Sequence, residues 1–331
     1  MSKRKSGRNV HGILLLDKRL GVSSNKALQE VRRLFNANKA GHTGSLDPLA
    51  TGLLPLCFGE ATKVSALMLD DNKRYQVVVQ LGVMTDTGDA EGVIIEIKPV
   101  PELSPDIIHA CLQQFTGEID QVPPMYSALK HNGKKLYELA RAGQTVERKA
   151  RRISIFEIKW LTDYQAGLAE PNQLVLEVSC SKGTYIRTLA EDIGHALGCG
   201  ATVKALRRIE AGQFNIADAK TIEQLTAMDE QGLYSCLINV DQPLHVLPAV
   251  HLSDQHAKSI NYGQAINLKE SFHGTVRMYH GAVFLGLGEI LLDGKLAPKK
   301  LFNMGNDSGK DANIASLPVN KIHLDLHPIV E

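Results

Sequence analysis

The residues best suited to chemistry lie in one short segment, Gly41-His-Thr-Gly-Ser-Leu-Asp-Pro-Leu-Ala-Thr-Gly-Leu-Leu54. Asp47 is its single carboxylate. Pro48 disfavours the helical region for the residue before it, so Asp47 is held extended. Leu46 and Leu49 place apolar neighbours on either side. Gly41, Gly44 and Gly52 permit tight turns and close backbone approach to a ligand. A carboxylate on a stiff loop between apolar neighbours can serve as nucleophile or base. A plain Asp-Pro turn fits the same local sequence.

Strands and helices must hold such a loop, and the flanking sequence supplies them. Gly12–Asp17 is a short apolar run that predicts a buried strand. Ser23 and Ser24 can cap a helix carrying Ala27, Leu28, Val31, Leu34 and Phe35 at helical spacing. Tyr75–Leu81 and Val93–Ile97 read as strands around the turn-rich Thr85–Gly92. Ser104-Pro105 opens a helix that Gly117 ends, and Lys134–Ala142 predicts a short helix ended by Gly143. Ile153–Trp160 and Leu174–Cys180 mark two further strands, followed by a helix over Thr184–Leu197. Beyond about Val246, short strands and glycine turns predict a separate small β-barrel. Gly305–Asn313 reads as a linker or tail, and Ile322, Leu324 and Leu326 alternate like an edge strand.

Composition narrows the class. A chain of 331 residues predicts two domains. With 44% hydrophobic and 22% charged residues it is a globular chain rather than a disordered one. No apolar run is long enough to span a bilayer, and Gly12–Leu16 is too short for a signal-peptide core. Cys57, Cys111, Cys180, Cys199 and Cys236 form no C-x-x-C pair, which argues against a zinc ribbon and fits reduced thiols in the cytosol. The formal net charge of +1 conceals two basic zones. Residues 1–40 hold ten Lys/Arg against Asp17 and Glu30, and residues 129–152 hold eight against Glu138 and Glu147. Such zones can bind phosphate; solvated surface segments fit them as well.

The segment around Asp47 resembles the catalytic motif of the TruB-type tRNA pseudouridine synthases, meeting G-H-x-G-x-L-D-P-x-A-x-G-x-L at every fixed position. Gly12–Lys18, Asp71–Tyr75, Tyr126–Lys130 with Gly133–Tyr137, Cys180–Arg187, Leu197–Ala201 and Leu206–Arg208 match further family elements in order. The resemblance spans roughly residues 10–300. One departure stands at Lys18-Arg19-Leu20-Gly21, where the family usually has K-P-x-G.

The resemblance implies an α+β pseudouridine synthase fold: a mixed, mainly antiparallel sheet flanked by helices, plus a small C-terminal PUA-like β-barrel. It implies a catalytic domain over 1–246 with an RNA-clamping insertion at 121–152, an RNA-binding domain over 247–304, and a tail over 305–331 without assigned role. The implied reaction isomerises the T-loop uridine of tRNA, position 55, to pseudouridine. The N-glycosidic bond is cut, the flipped-out base rotates, and the bond re-forms through C5. No atoms are gained or lost, so no cofactor and no metal are expected. By the same resemblance Asp47 is the catalytic carboxylate, and Arg187 pairs with it and lowers its pKa. Tyr75 stacks on the flipped base and can take the C5 proton, Tyr185 and Leu206 enclose the uracil, and His42 stacks where the extruded base stood. Lys18, Lys130, Lys134, Lys135, Arg148, Arg151 and Arg152 are expected on the RNA backbone, with tRNA binding or folding as an accompanying activity. The expected partner is the tRNA T-arm, met by a cytoplasmic monomer with no membrane and no small-molecule cofactor.

Overall fold

The computed structural model describes residues 7–161, 172–268 and 272–304. The tail over 305–331, with its alternating Ile322, Leu324 and Leu326, lies outside the described residues. The larger sheet has nine strands: β1 (Gly12–Lys18), β2 (Ala40–His42), β3 (Ala50–Phe58), β4 (Lys73–Leu81), β5 (Gly117–Gln121), β6 (Arg151–Trp160), β7 (Gln173–Cys180), β8 (Ala201–Ala211) and β9 (Phe214–Asn215). Their order is β1-β3-β8-β4-β7-β6-β5, with β2 added to β3 and β9 to β8. Every pairing is antiparallel except β3 with β8, where Ala50–Gly52 run beside Leu206–Arg208. This is the mixed, mainly antiparallel α+β sheet that the sequence implied.

The parallel contact is tight. Gly52 has a φ of 98°, and a Cβ on it would lie 2.2 Å from the Arg208 carbonyl oxygen. Only glycine lets β3 come this close to β8 at the point where the Asp47 loop ends.

Helices cover one face. Ala27, Leu28 and Val31 of α1 (Ser24–Leu34) pack on Leu14, Leu16, Leu54 and Leu56 of β1 and β3. Ile108, Cys111 and Leu112 of α2 (Pro105–Gln114) and Ile186, Leu189, Ala190 and Ile193 of α3 (Ile186–Ala196) pack on β4, β6 and β7. These are two separate apolar clusters, and Tyr75 and Leu206 are the side chains packed against both. A seam therefore runs down the covered face. The helix starts follow the expected chemistry: Ser23 caps α1, and Ser104 with Pro105 at the first turn caps α2.

The opposite face carries the C-terminal module. A sheet of five strands, in the order Ala249–His251, Gly274–His280, Val283–Ile290, Lys295–Leu301 and Ile266–Asn267, is joined by a helix over Asp254–Asn261. This half-barrel is the PUA-like module that the sequence implied. Its Phe284, Leu287 and Phe302 share a core with Ile13, Leu15, Leu53 and Cys57 of the larger sheet. Tyr279 donates to Asp241 at 2.5 Å, and Lys300 Nζ donates to the Lys63 carbonyl at 2.7 Å. The helix over Asp254–Asn261 was not legible in the sequence.

Candidate active site

Asp47 sits at the seam, on the loop between β2 and β3. Its carboxylate lies 3.0 Å from Nε of Arg187, the second residue of α3. The Arg187 side chain is 6% exposed and the Asp47 side chain 46%. The carboxylate thus opens to solvent on one side and is walled by protein on the others. The rest of the guanidinium is fully engaged. Nη1 donates to the Thr87 carbonyl at 2.6 Å and approaches Asp89 at 3.5 Å, and Nη2 donates to the Tyr126 carbonyl at 2.6 Å. Arg187 of α3 therefore ties the Thr87–Asp89 turn and the segment at Tyr126 to the Asp47 loop.

The expected downward pull of Arg187 on the Asp47 pKa is present, and burial outweighs it. Burial raises the pKa above the ordinary carboxylate range; Arg187 and Lys18 pull it down, and Asp89 pushes it up. Crowding by protein atoms outweighs one cation that is shared with a second carboxylate. Asp89, which no sequence motif singled out, is itself nearly fully buried. It accepts from Thr87 Oγ1 at 2.7 Å and from the Glu91 amide at 3.1 Å. The turn-rich Thr85–Gly92 was the signal available for it.

The aromatic candidates line the same seam. Tyr75 lies on β4 opposite Arg208 of β8, and Leu206 pairs with Val77. Burial pushes the Tyr75 phenol up, opposed by the charge of Arg208. Tyr185 stands at the start of α3, its backbone locked to Gln121. The Gln121 Oε1 accepts from the Tyr185 amide at 2.8 Å, and its Nε2 donates to the Tyr185 carbonyl at 3.1 Å. Burial raises the Tyr185 phenol, with Ser127, Arg151 and Arg187 opposing and Asp47 adding. Asp47, Tyr75, Tyr185, Arg187 and Leu206 are thus brought together.

His42 ends β2, and burial with Arg208 nearby lowers its pKa. Its Nδ1 is buried with no hydrogen-bond partner among the described residues. Arg208 is the second residue that sequence reasoning did not select. It is 1% exposed, donates from Nε to the Leu53 carbonyl at 2.7 Å and from Nη2 to the Gly44 carbonyl at 3.2 Å. Its position within Leu206-Arg-Arg208 was the available signal.

The basic set divides. Lys18, expected on the RNA backbone, is 1% exposed, and its Nζ donates to the Val22 carbonyl at 2.6 Å and the Arg19 carbonyl at 3.1 Å. A buried ammonium with these partners cannot reach a phosphate, so Lys18 leaves the set. Much of the N-terminal basic zone is also engaged: Arg19 forks onto Glu30 at 2.9 and 3.2 Å, Arg8 pairs with Glu230, and Arg32 donates to the Ala37 and Asn38 carbonyls. Lys130, Lys134, Arg151 and Arg152 are exposed, and Lys135 and Arg148 are half-buried. Lys130 and Lys135 face each other across a hairpin whose Asn132 and Gly133 both have positive φ. Arg152 lies 3.4 Å from Asp120.

Comparison with known proteins identifies the family. Residues 32–186 match the N-terminal domain of TruB family pseudouridylate synthases. Residues 187–245 match the tRNA pseudouridylate synthase B C-terminal domain, and residues 248–302 match the C-terminal region of TruB pseudouridine synthase II. A tRNA pseudouridine synthase B from Chromohalobacter salexigens is 50% identical over 306 residues, covering 92% of this chain and 98% of that protein. One from Ectopseudomonas mendocina is 51% identical over 304 residues, 90% of this chain and 97% of that protein. In fold, the chain is similar to a solved Cbf5-Nop10-Gar1 complex, with a TM-score of 0.63, 24% identity, and coverage of 88% of this chain and 84% of that one. A motif met in full, a carboxylate–arginine pair at a seam and relatives alike along nearly their whole length agree: the chain belongs to the TruB family of pseudouridylate synthases.

Proposed function

We propose that this pseudouridine synthase isomerises the T-loop uridine of tRNA, position 55, with Asp47 as the catalytic carboxylate. The observation that carries this reading is the Asp47 carboxylate, open on one side and paired at 3.0 Å with a buried Arg187. In this reading the uridine leaves its stack and enters the seam. The ionised Asp47 meets the ribose side of the glycosidic bond, the base rotates within the walls of Tyr75, Tyr185 and Leu206, and C5 replaces N1 at the sugar. Tyr75 acts by stacking. Burial raises its phenol pKa. A neutral His42 ring, buried and uncharged, suits stacking where the base departed.

The exposed Lys130, Lys134, Arg151 and Arg152, with Lys135 and Arg148, take the backbone of the T-arm, and residues 121–152 close over it. Residues 1–246 carry the chemistry and residues 247–304 an RNA-binding role. The protein acts as a monomer, and its five unpaired cysteines support a reducing, cytoplasmic setting. The names of the relatives support tRNA as substrate.

The test is tritium release from unmodified tRNA labelled at uridine C5. Wild type releases tritium, and Asp47→Ala does not while still binding tRNA. Release undiminished in Asp47→Ala refutes the assignment. Mapping pseudouridine in cells lacking the protein checks the position: loss at the T-loop supports the proposal, and loss confined to ribosomal RNA overturns it.

A further inference from the structure

Ser24 is the first residue of α1, and Ser23 before it supplies the helix cap. The Ser24 side chain is therefore free of capping duty, and it turns to the Asp47 loop. Its hydroxyl donates to the Leu46 carbonyl at 2.9 Å and accepts from the Leu46 amide at 2.7 Å. Both contacts are buried, and Ser24 is 3% exposed. One hydroxyl thus satisfies both backbone polar groups of the residue preceding Asp47. On the other side of Asp47, the Gly21 amide donates to the Pro48 carbonyl at 2.9 Å, and Lys18 Nζ approaches the same oxygen at 3.5 Å. The turn that carries these donors is itself fastened to α1 by the Arg19–Glu30 fork.

We propose that Ser24 is a positioning residue for Asp47: its hydroxyl fixes the Leu46 peptide groups and thereby sets where the carboxylate stands relative to Arg187. This rests on the reading of Asp47 as the catalytic carboxylate. The physical reason is the absence of an alternative. Leu46 lies in an irregular loop, so no helix or ladder pairs its backbone, and its burial keeps water from replacing the hydroxyl. Removing the hydroxyl frees the residue next to Asp47 to move. A displacement of about 1 Å in a reacting group costs on the order of 10²-fold in rate.

The experiment measures single-turnover tritium release and tRNA affinity for Ser24→Ala, Ser24→Thr and Ser24→Val, with Asp47→Asn beside them. Threonine and valine have the same shape and differ by the hydroxyl, so crowding by the added methyl cancels between them. The expected result is release slowed about 10²-fold in Ser24→Ala with tRNA affinity within about threefold of wild type. Ser24→Thr should be at least about tenfold faster than Ser24→Val. A wild-type rate in Ser24→Ala, or equal rates in the threonine and valine variants, overturns the positioning role. A purely structural role lowers the folded fraction equally in rate and binding, and that pattern also overturns it. Wild-type release from Asp47→Asn defeats the underlying reading instead, whatever the Ser24 variants do.

Discussion

Asp47 and Asp89 share one guanidinium: Nε of Arg187 lies 3.0 Å from the first, and Nη1 lies 3.5 Å from the second. Burial holds the Asp47 pKa above its ordinary value; Arg187 opposes this and Asp89 adds to it. The pair therefore sets both where the carboxylate stands and the pH at which it ionises.

Neutralising Asp89 gives a pH test of this sharing. Asp89→Asn removes a charge that raises the Asp47 pKa. In the proposed reaction Asp47 acts ionised, so activity should climb as pH rises through its pKa. Lowering that pKa moves the acid limb of the single-turnover profile to lower pH. The rate on the plateau should also fall, because Asp89 helps fix Arg187. An acid limb that stays in place or moves up would show that Asp89 does not act on Asp47.

Arg187→Lys should be far from conservative. One ammonium cannot serve the Thr87 and Tyr126 carbonyls, Asp89 and Asp47 together. The expected outcome is a loss of about 10²-fold in rate and a stability loss on the order of 3 kcal/mol, as for other broken buried pairs. Chemical denaturation and tritium release check the two parts separately. A variant with wild-type stability would contradict the tie between segments described for Arg187.

The site was legible in unequal parts. Asp47 stood out because Gly, Asp and Pro types constrain backbone locally, and local constraint is what a sequence displays. Arg187, Tyr75 and Tyr185 were found through resemblance, since an arginine after Ile186 or a tyrosine in a strand has ordinary structural uses. Asp89 and Arg208 act through partners more than a hundred residues away in the case of Arg208, and no local pattern announces that. Strands β3 and β8 were also not legible as strands. Their residues are interrupted by Gly52 and Pro55 in one and by charged residues in the other, so the alternation that reveals a half-buried strand is hidden. Lys18 failed differently: charge in the sequence says nothing about depth, and the structure buries the side chain that was expected on the RNA backbone.

Lys18 carries a pH signature of its own. Burial lowers its pKa to about 8 from 10.5. In the unfolded chain the amine keeps its ordinary value, so between these two pH values the unfolded state binds more protons. Stability from this group therefore rises as pH rises through that window, and is lowest below it. Lys18→Met should flatten that rise and lower stability overall, because the Val22 carbonyl loses its 2.6 Å donor. Denaturant unfolding of both proteins at about pH 7 and about pH 10 checks it. Parallel curves for the two proteins would mean that Lys18 is not the group responsible.

The remaining basic hairpin predicts a salt dependence. Lys130 and Lys135 are opposite one another in the ladder, and like charges so placed repel. An RNA backbone laid across them would remove that repulsion. Each phosphate contact contributes about 0.7 to 0.9 to the slope of log affinity against log salt, so Lys134→Gln with Lys135→Gln should flatten the slope by about 1.4 to 1.8. Lys295 and Lys299 on the C-terminal sheet provide the contrast. Lys295 pairs with Asp293 at 2.8 Å and Lys299 with Glu289 at 2.9 Å. A lysine already neutralised by its own carboxylate releases few counterions, so neutralising these two should leave the slope nearly unchanged. Filter binding of tRNA over a range of salt concentrations measures both pairs. A slope unmoved by the hairpin variant, or moved equally by the C-terminal one, would place the phosphate contacts elsewhere.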